Sequence, residues 1–444
     1  MQVRRLPRTT GTAGWNAILP PPPPAAPLAG AITADWLVIG AGFAGLAAAR
    51  RLAQLHPDSR IVILEAGRVG EGPAGRNSGF MIDLPHDLAS ANYGGDSARD
   101  AAQTEANRRA IAFALEAAAE FELPAEAIVR SGKVNAAATE RGLAHNRSYG
   151  AHLTRLGEAC TFLDAAQMRD LTGSSYYRGG LFTPGTAMLQ PALFVRLLAA
   201  GLQAQGVAVH EHSPVTALTR EGNAWRATTE HGAVSASAVI LAVNGHAESF
   251  GRFTRRLVHV HLYASMTRPL AADEACRLGG EPVWGLTPAD PMGTTVRRIR
   301  GADGDRIIVR NRCHYTPDLQ TDEHRLEKAA RSHDRSFACR FPALDGVTMQ
   351  YRWAGALCLS LNDAPAWGEL EPGLFAACCQ NGLGLARGTL GGLAAAELAS
   401  NIDNETTRHL SAQPPPSPLP PSPLAALGAG ARIRWGEWQA GGEL

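Results

Sequence analysis

Apolar residues along this chain recur with two different periods, and the places where one gives way to the other mark its elements. A β-branched run, Trp36-Leu37-Val38-Ile39, leads through an alanine-rich helical segment, stopped by Pro57, to a second apolar run, Ile61-Val62-Ile63-Leu64. Short uninterrupted runs of this kind fit strands buried on both faces. Between 97 and 121 the spacing of Ile111, Leu115 and Ala118 predicts a long helix. Pro191 is placed for the first turn of another helix, running to Gly206, before a strand over 207–211. A hairpin, 225–229 with 234–236, feeds the uniformly apolar strand 238–243, which stops at Asn244-Gly245. From 256 to 350 the texture turns to alternating strands, among them 259–266 and 306–310. One more buried strand, 374–379, then runs into Asn381-Gly382-Leu383-Gly384 and a helix over 388–398.

This order predicts an α/β protein whose Rossmann-like domain is discontinuous. Residues 34–90, 191–250 and 351–402 build it. Residues 91–190 and 251–350 are inserted and form an α+β substrate domain with a mixed or antiparallel sheet. An N-terminal extension, 1–33, carries the run Pro20 to Pro24; Trp15 either pins it to the body or leaves it a loose arm. A proline-rich linker and tail, 403–444, ends with Trp435 and Trp438. Burying two indoles would dock that tail at on the order of 2 kcal/mol each; the alternative is an exposed tail that seeks a partner.

The stretch 35–65 carries the sharpest chemistry. Gly40 permits a tight turn, Gly42 lets backbone N–H groups approach a pyrophosphate, and Gly45 lets helix pack close to strand; Phe43 and Ala44 lie between. The helix N-terminus adds partial positive charge. Glu65, twenty residues beyond Gly45, is placed to accept both hydroxyls of an adenosine ribose. Strand, glycines, helix, strand and acid in register point to dinucleotide binding; a glycine turn in an ordinary α/β unit is the competing explanation. The end of the strand at Gly245 is where open α/β sheets bind ligands.

Composition narrows the classes. With 444 residues, 45% apolar and 19% charged, the chain is globular, and a net charge of +1 offers nothing to nucleic acid or an anionic membrane. Seven cysteines are scattered without a CxxC pair, which fits a reducing compartment and argues against a disulfide framework or a metal site. No apolar run reaches transmembrane length, and Arg4 and Arg5 are followed by no hydrophobic core, so neither a transmembrane segment nor a signal peptide is expected. Cytoplasm is the expected location.

VIGAGFAG with LEAGRVG, GPAGRNSGF, VILAVNG and CCQNGLGLARGTLGG together resemble the FAD-dependent D-amino-acid oxidase superfamily, which includes glycine, sarcosine and γ-glutamylputrescine oxidases. The likeness covers roughly residues 30 to 400 and is nearest to the γ-glutamylputrescine-oxidase-like branch. That branch carries Gly-Arg-Asn-Gly-Gly where this chain has Gly75-Arg76-Asn77-Ser78-Gly79. Ser78 departs from that pattern, as does Pro73-Ala74 from the usual Ala-Ser.

The resemblance implies FAD as cofactor. Glu65 would hold ribose, Val215 adenine, and Arg76, Asn77, Ser78 and Gly79 would line the flavin. Gly382, Leu383 and Gly384 would approach its pyrimidine end, and Thr389 would continue that contact. Hydride transfer from a C–N bond of an amine or amino acid to flavin N5 would follow. The imine would hydrolyse, and O2, a quinone or a partner protein would reoxidise the flavin. A dehydrogenase and a non-catalytic FAD-binding subunit of a hetero-complex are the other readings. An NAD-only enzyme would need neither the second glycine turn nor the element around Arg76.

Substrate contacts are sketched on the same basis, with Tyr263, Trp353 and His261 as the candidate catalytic side chains. A strand over the flavin corresponds to His259-Val260-His261-Leu262-Tyr263, where alternation puts His259, His261 and Tyr263 on one face, toward the substrate or packed outward. Trp353 is either an aromatic wall for an amine or core. Arg310 and Arg312 are either a carboxylate clamp or surface arginines. Cys358 lies where some sarcosine oxidases tether flavin; a buried free thiol and non-covalent FAD is the default. The substrate itself stays open among γ-glutamylated polyamines, N-methyl amino acids, aminophosphonates and simple amino acids.

Overall fold

A computed structural model describes residues 1–85, 90 and 93–444. At its centre the strand Gly30–Ile39 pairs in parallel with Gly232–Leu241 on one side and Ile61–Leu64 on the other, with Ile39 opposite both Leu241 and Leu64. Ala208–His210 extends the sheet beyond Ile61–Leu64. Residues 239–241 also take Leu374–Cys378 as a parallel neighbour. These five strands therefore end on one edge. Ile61–Leu64 and Leu374–Cys378 are wholly buried, as are the last three residues of Gly30–Ile39 and of Gly232–Leu241, as uninterrupted Val, Ile and Leu require when helices cover a sheet.

Two of those helices, Phe43–Leu55 and Gly384–Ala399, cross at close range. A Cβ on Gly392 would stand 1.9 Å from the Ala44 carbonyl oxygen, so only glycine allows the approach. The second helix starts at Gly384 rather than at 388, and the Gly382-Leu383-Gly384 turn is therefore the mouth of the helix itself.

The second sheet has eight strands in the order Met349–Leu359, Val258–Thr267, Gly304–Tyr315, Thr295–Gly301, Trp284–Pro288, Lys133–Ala137, Gly179–Thr183 and Thr161–Asp164. It is antiparallel except where Trp284–Pro288 meets Lys133–Ala137 in parallel. This corrects one expected boundary. Position 351 falls inside Met349–Leu359, which pairs along its length with Val258–Thr267, so that segment belongs with the second sheet until about 359. The boundary expected at 90 abuts residues outside those described.

Both termini are docked. Trp15 is completely buried and its Nε1 donates to the Asn77 carbonyl at 2.8 Å. The tail forms a helix, Ser422–Ala440, yet its indoles do not anchor it: Trp435 is 57% and Trp438 72% exposed. Polar contacts hold it instead. Arg312 reaches Glu437 at 2.6 Å, and the Glu443 carboxylate accepts the N–H groups of Ala138 and Thr139 at 2.7 and 3.0 Å. No helix among the described residues is long and apolar enough to cross a membrane.

Candidate functional site

Along the C-terminal edge of the parallel sheet, beneath the second sheet, lies a cavity of about 810 Å³. One end is built around Glu65, directly after its strand. Its Oε2 accepts the Ala41 N–H at 2.8 Å and its Oε1 the Gly67 N–H at 3.0 Å. Burial pushes this carboxyl upward, and the two donated N–H groups oppose that shift. Each oxygen retains a lone pair for a further donor. Val215 lines the same end.

Midway, Gly40, Gly42, Phe43 and Ala44 line the wall where the helix Phe43–Leu55 presents first-turn N–H groups that have no acceptor within the helix. Two glycines test whether this space suits a dinucleotide. A Cβ on Gly42 would touch only the Ala74 Cβ, at 3.6 Å, and one on Gly384 would meet nothing within 4 Å. Protein packing requires neither to be glycine, yet both face the cavity. The room they leave is room for a bound group, and with the acceptor at Glu65 and the donors of the glycine turn it fits FAD. Gly45 is different. Its Cβ would lie 1.8 Å from the Gly40 carbonyl oxygen, so it serves helix–strand contact behind the cavity wall. Thr389, buried in the second turn of its helix, also lies behind the wall, while Gly245, Gly382, Leu383 and Gly384 are part of it.

At the far end the loop 75–79 is held rigidly. Arg76 spends its guanidinium on carbonyls of Glu71 (2.7 Å), Thr10 (3.1 Å), Gly11 (3.1 Å) and Ala354 (3.1 Å), and burial lowers its pKa to about 10, which leaves it cationic. Asn77 closes the turn by accepting the Gly79 N–H at 2.8 Å. Buried Arg297 donates to the carbonyls of Ser78 (3.1 Å), Gly79 (3.3 Å) and Leu189 (2.6 Å). All four of Arg76, Asn77, Ser78 and Gly79 border the cavity.

The expected catalytic side chains need correcting. Alternation does put His259, His261 and Tyr263 on one face, but His261 and Tyr263 turn to helix Glu323–Arg340 and the segment before it, while His259 Nε2 lies 2.8 Å from Glu248 Oε2. His261 Nδ1 is 2.8 Å from Thr316 Oγ1, and burial pushes its pKa down to about 4. Tyr263 touches the cavity wall, yet its hydroxyl is 2.8 Å from Thr321 Oγ1 and its ring packs on Leu326 and Ala329. Val260, Leu262 and Ala264 form the roof in their place. Trp353 is core: it packs with Trp15 and Met266, and its Nε1 donates to the Arg76 carbonyl at 3.0 Å. It positions the loop and offers no aromatic wall.

The two arginines separate. Arg312 is engaged with Glu437 and with Ser332 at 2.9 Å. Arg310 lines the cavity near Asn77 and Ser78; its side chain donates to Thr295 Oγ1 at 3.3 Å, and no carboxylate pairs with it among the described residues. Burial lowers its pKa. Asp290 borders the same end, its Oδ2 standing 3.4 Å from Arg141 without a hydrogen bond among the described residues. Cys358 also reaches the cavity, but its thiol is pushed well up by a hydrogen bond with Cys379 and by burial, which opposes the thiolate that a covalent tether would use.

Sequence reasoning missed Tyr93 and Asp290, Val3 and residues 5–9 of the arm, and Arg432, Trp435 and Gln439 of the last helix, all on the cavity wall. No motif marked them. The terminal segments gave only proline runs and isolated tryptophans.

A family model described as DAO, FAD dependent oxidoreductase, matches residues 35–398. Probable oxidoreductase OrdL of Haemophilus influenzae is 26% identical over 382 residues, covering 82% of each chain. Gamma-glutamylputrescine oxidoreductase of Escherichia coli is 26% identical over 371 residues, 83% of this chain and 84% of that one. Glycine oxidase from Geobacillus kaustophilus shares the fold at a TM-score of 0.68 and 17% identity, covering 84% of this chain and 96% of that structure.

Proposed function

This chain belongs to the DAO family of FAD dependent oxidoreductases, and from that premise we propose that it oxidises a C–N bond of an amine or amino acid bearing a carboxylate. One observation carries the substrate class: a cavity-facing arginine, Arg310, without a carboxylate partner among the described residues, beside the rigid loop 75–79. An enclosed guanidinium is costly to leave unpaired, and a substrate carboxylate supplies the missing counter-charge.

Bound FAD supplies the hydride acceptor. Glu65 and Val215 hold its adenosine end, and the loop 75–79 with the turn 382–384 holds its ring. Arg310 then fixes the substrate by its carboxylate, so that the C–N bond is presented in one orientation. Asp290 Oδ2 offers an acceptor for an N–H of the same molecule. Val260, Leu262 and Ala264 exclude water above it.

An anaerobic panel of amines and amino acids, each paired with its methyl ester and scored by loss of flavin absorbance, tests the proposal. Bleaching should occur with carboxylate-bearing amines and fade with their esters. Equal bleaching by acid and ester would sink the role of Arg310, and no bleaching with any amine would leave a non-catalytic flavoprotein.

A further inference from the structure

The N-terminal arm crosses the cofactor crevice and is fastened on both sides of it. On the adenosine side, Val3 donates its N–H to Thr216 at 2.8 Å, Leu218 donates to Met1 at 2.9 Å, and Arg4 donates to Ser249 at 2.9 Å. Thr216 directly follows Val215, Leu218 packs in the same cluster as Val215, and Ser249 precedes Phe250 of that cluster. On the other side, the Thr10 carbonyl accepts the Ala354 N–H and an Arg76 N–H, each at 3.1 Å, and Gly11 accepts Arg76 at 3.1 Å. Gly11 seats so closely that a Cβ there would lie 2.3 Å from the Arg352 carbonyl oxygen. Between the two fastenings the arm contributes Val3, Arg5, Leu6, Pro7, Arg8 and Thr9 to the same cavity that Gly40, Gly42 and Phe43 line.

Its charge is one-sided. Arg5 donates to the Pro317 carbonyl at 3.1 Å, and neither Arg5 nor Arg8 has a carboxylate partner among the described residues. Two exposed cations, without counter-ions among the described residues, therefore border a space already lined by first-turn helix N–H groups. Both features select an anion.

We propose that residues 3–9 form a clasp over bound FAD, with Arg5 and Arg8 as ligands for its diphosphate. The clasp supplies cofactor contacts from outside the βαβ unit, and it must lift from its fastenings for FAD to leave. The inference rests on FAD being the occupant of the cavity.

The test uses purified holoprotein, with FAD release followed as the rise in flavin fluorescence after dilution at several salt concentrations. Two variants are compared with the parent: deletion of residues 2–9, and Arg5→Gln combined with Arg8→Gln. Losing the charge-assisted contacts should speed release by about tenfold in the double substitution, and the deletion should be faster still. Parental release should quicken with salt, and that dependence should flatten in both variants. Release within about twofold of the parent in the double substitution, with unchanged salt dependence, would overturn the clasp. Circular dichroism shows whether the deletion folds; if it does not, the double substitution decides alone. A parent that takes up no FAD would overturn the cofactor assignment and the clasp together, whereas normal uptake with unaltered release removes only the clasp.

Discussion

Replacing Arg310 by methionine should move activity and stability in opposite directions. In the folded protein this guanidinium is enclosed, its pKa is lowered by burial, and its side-chain bond to Thr295 is long at 3.3 Å. Truncating one member of a buried charge pair costs about 2–5 kcal/mol. At about 1.4 kcal/mol per tenfold, kcat/KM for a carboxylate substrate should fall between roughly 30-fold and several thousand-fold. The ligand-free fold loses only a weak hydrogen bond and sheds a half-buried charge that has no carboxylate partner among the described residues, so its melting temperature should hold or rise. Arg310→Lys should be intermediate, because it keeps charge but loses the planar fork. Anaerobic flavin reduction against substrate concentration gives the first quantity and a thermal melt the second. If Arg310→Met cost no more than about twofold in kcat/KM while lowering the melting temperature by several degrees, the residue would be structural and the reasoning refuted.

Gly42→Ala should melt within about 1 kcal/mol of the parent yet take up FAD less tightly, since its Cβ meets only Ala74 at 3.6 Å and otherwise enters the cavity. Gly45→Ala should fail at folding instead, losing about 3 kcal/mol or more, because its Cβ collides with the Gly40 carbonyl at 1.8 Å; melts of apoprotein with FAD titrations separate the two. His333 is buried between Ser265 and the Asn311 carbonyl, and burial lowers its pKa to about 4 from an ordinary 6.5. On acidification the unfolded chain takes up that proton first. Stability present above about pH 6.5 should therefore drain away toward pH 4, by up to roughly 3 kcal/mol for this residue, and urea melts of His333→Gln should show a flatter slope over that window. Acid precipitation should leave the yellow colour in solution, and Cys358→Ser should leave flavin content unchanged, because the thiol is held protonated; colour pelleting with the parent but not with the variant would contradict this.

The parallel sheet was legible because its strands carry short apolar runs, and two of these, 36–39 and 61–64, stop directly at Gly40 and Glu65. Gly40, Gly42 and Glu65 could be placed on the cavity wall for the same reason: their chemistry is local, set by one turn. The roof was misread where periodicity met topology. Alternation put His261 and Tyr263 on a common face, but only the packing of Glu323–Arg340 decides which face is inward. Trp353 was ambiguous because an indole suits both a core and an amine site, and its bond to Arg76 links residues far apart in sequence. The arm and the last helix carry no periodic signal that says where they lie. Their positions rest on polar contacts between residues far apart in sequence, such as Glu437 with Arg312 and Val3 with Thr216, which a sequence does not pair.

The order of assembly in the central sheet has a practical corollary. Residues 239–241 bond on one side to the opening strand and on the other to Leu374–Cys378, some 130 positions later. A recombinant fragment stopped near residue 250, although it holds every glycine of the first turn, would present a naked β-edge to other copies of itself. Such a piece should precipitate rather than serve as a portable nucleotide-binding module, and on the ribosome the cofactor cradle stays unfinished until the final third of translation.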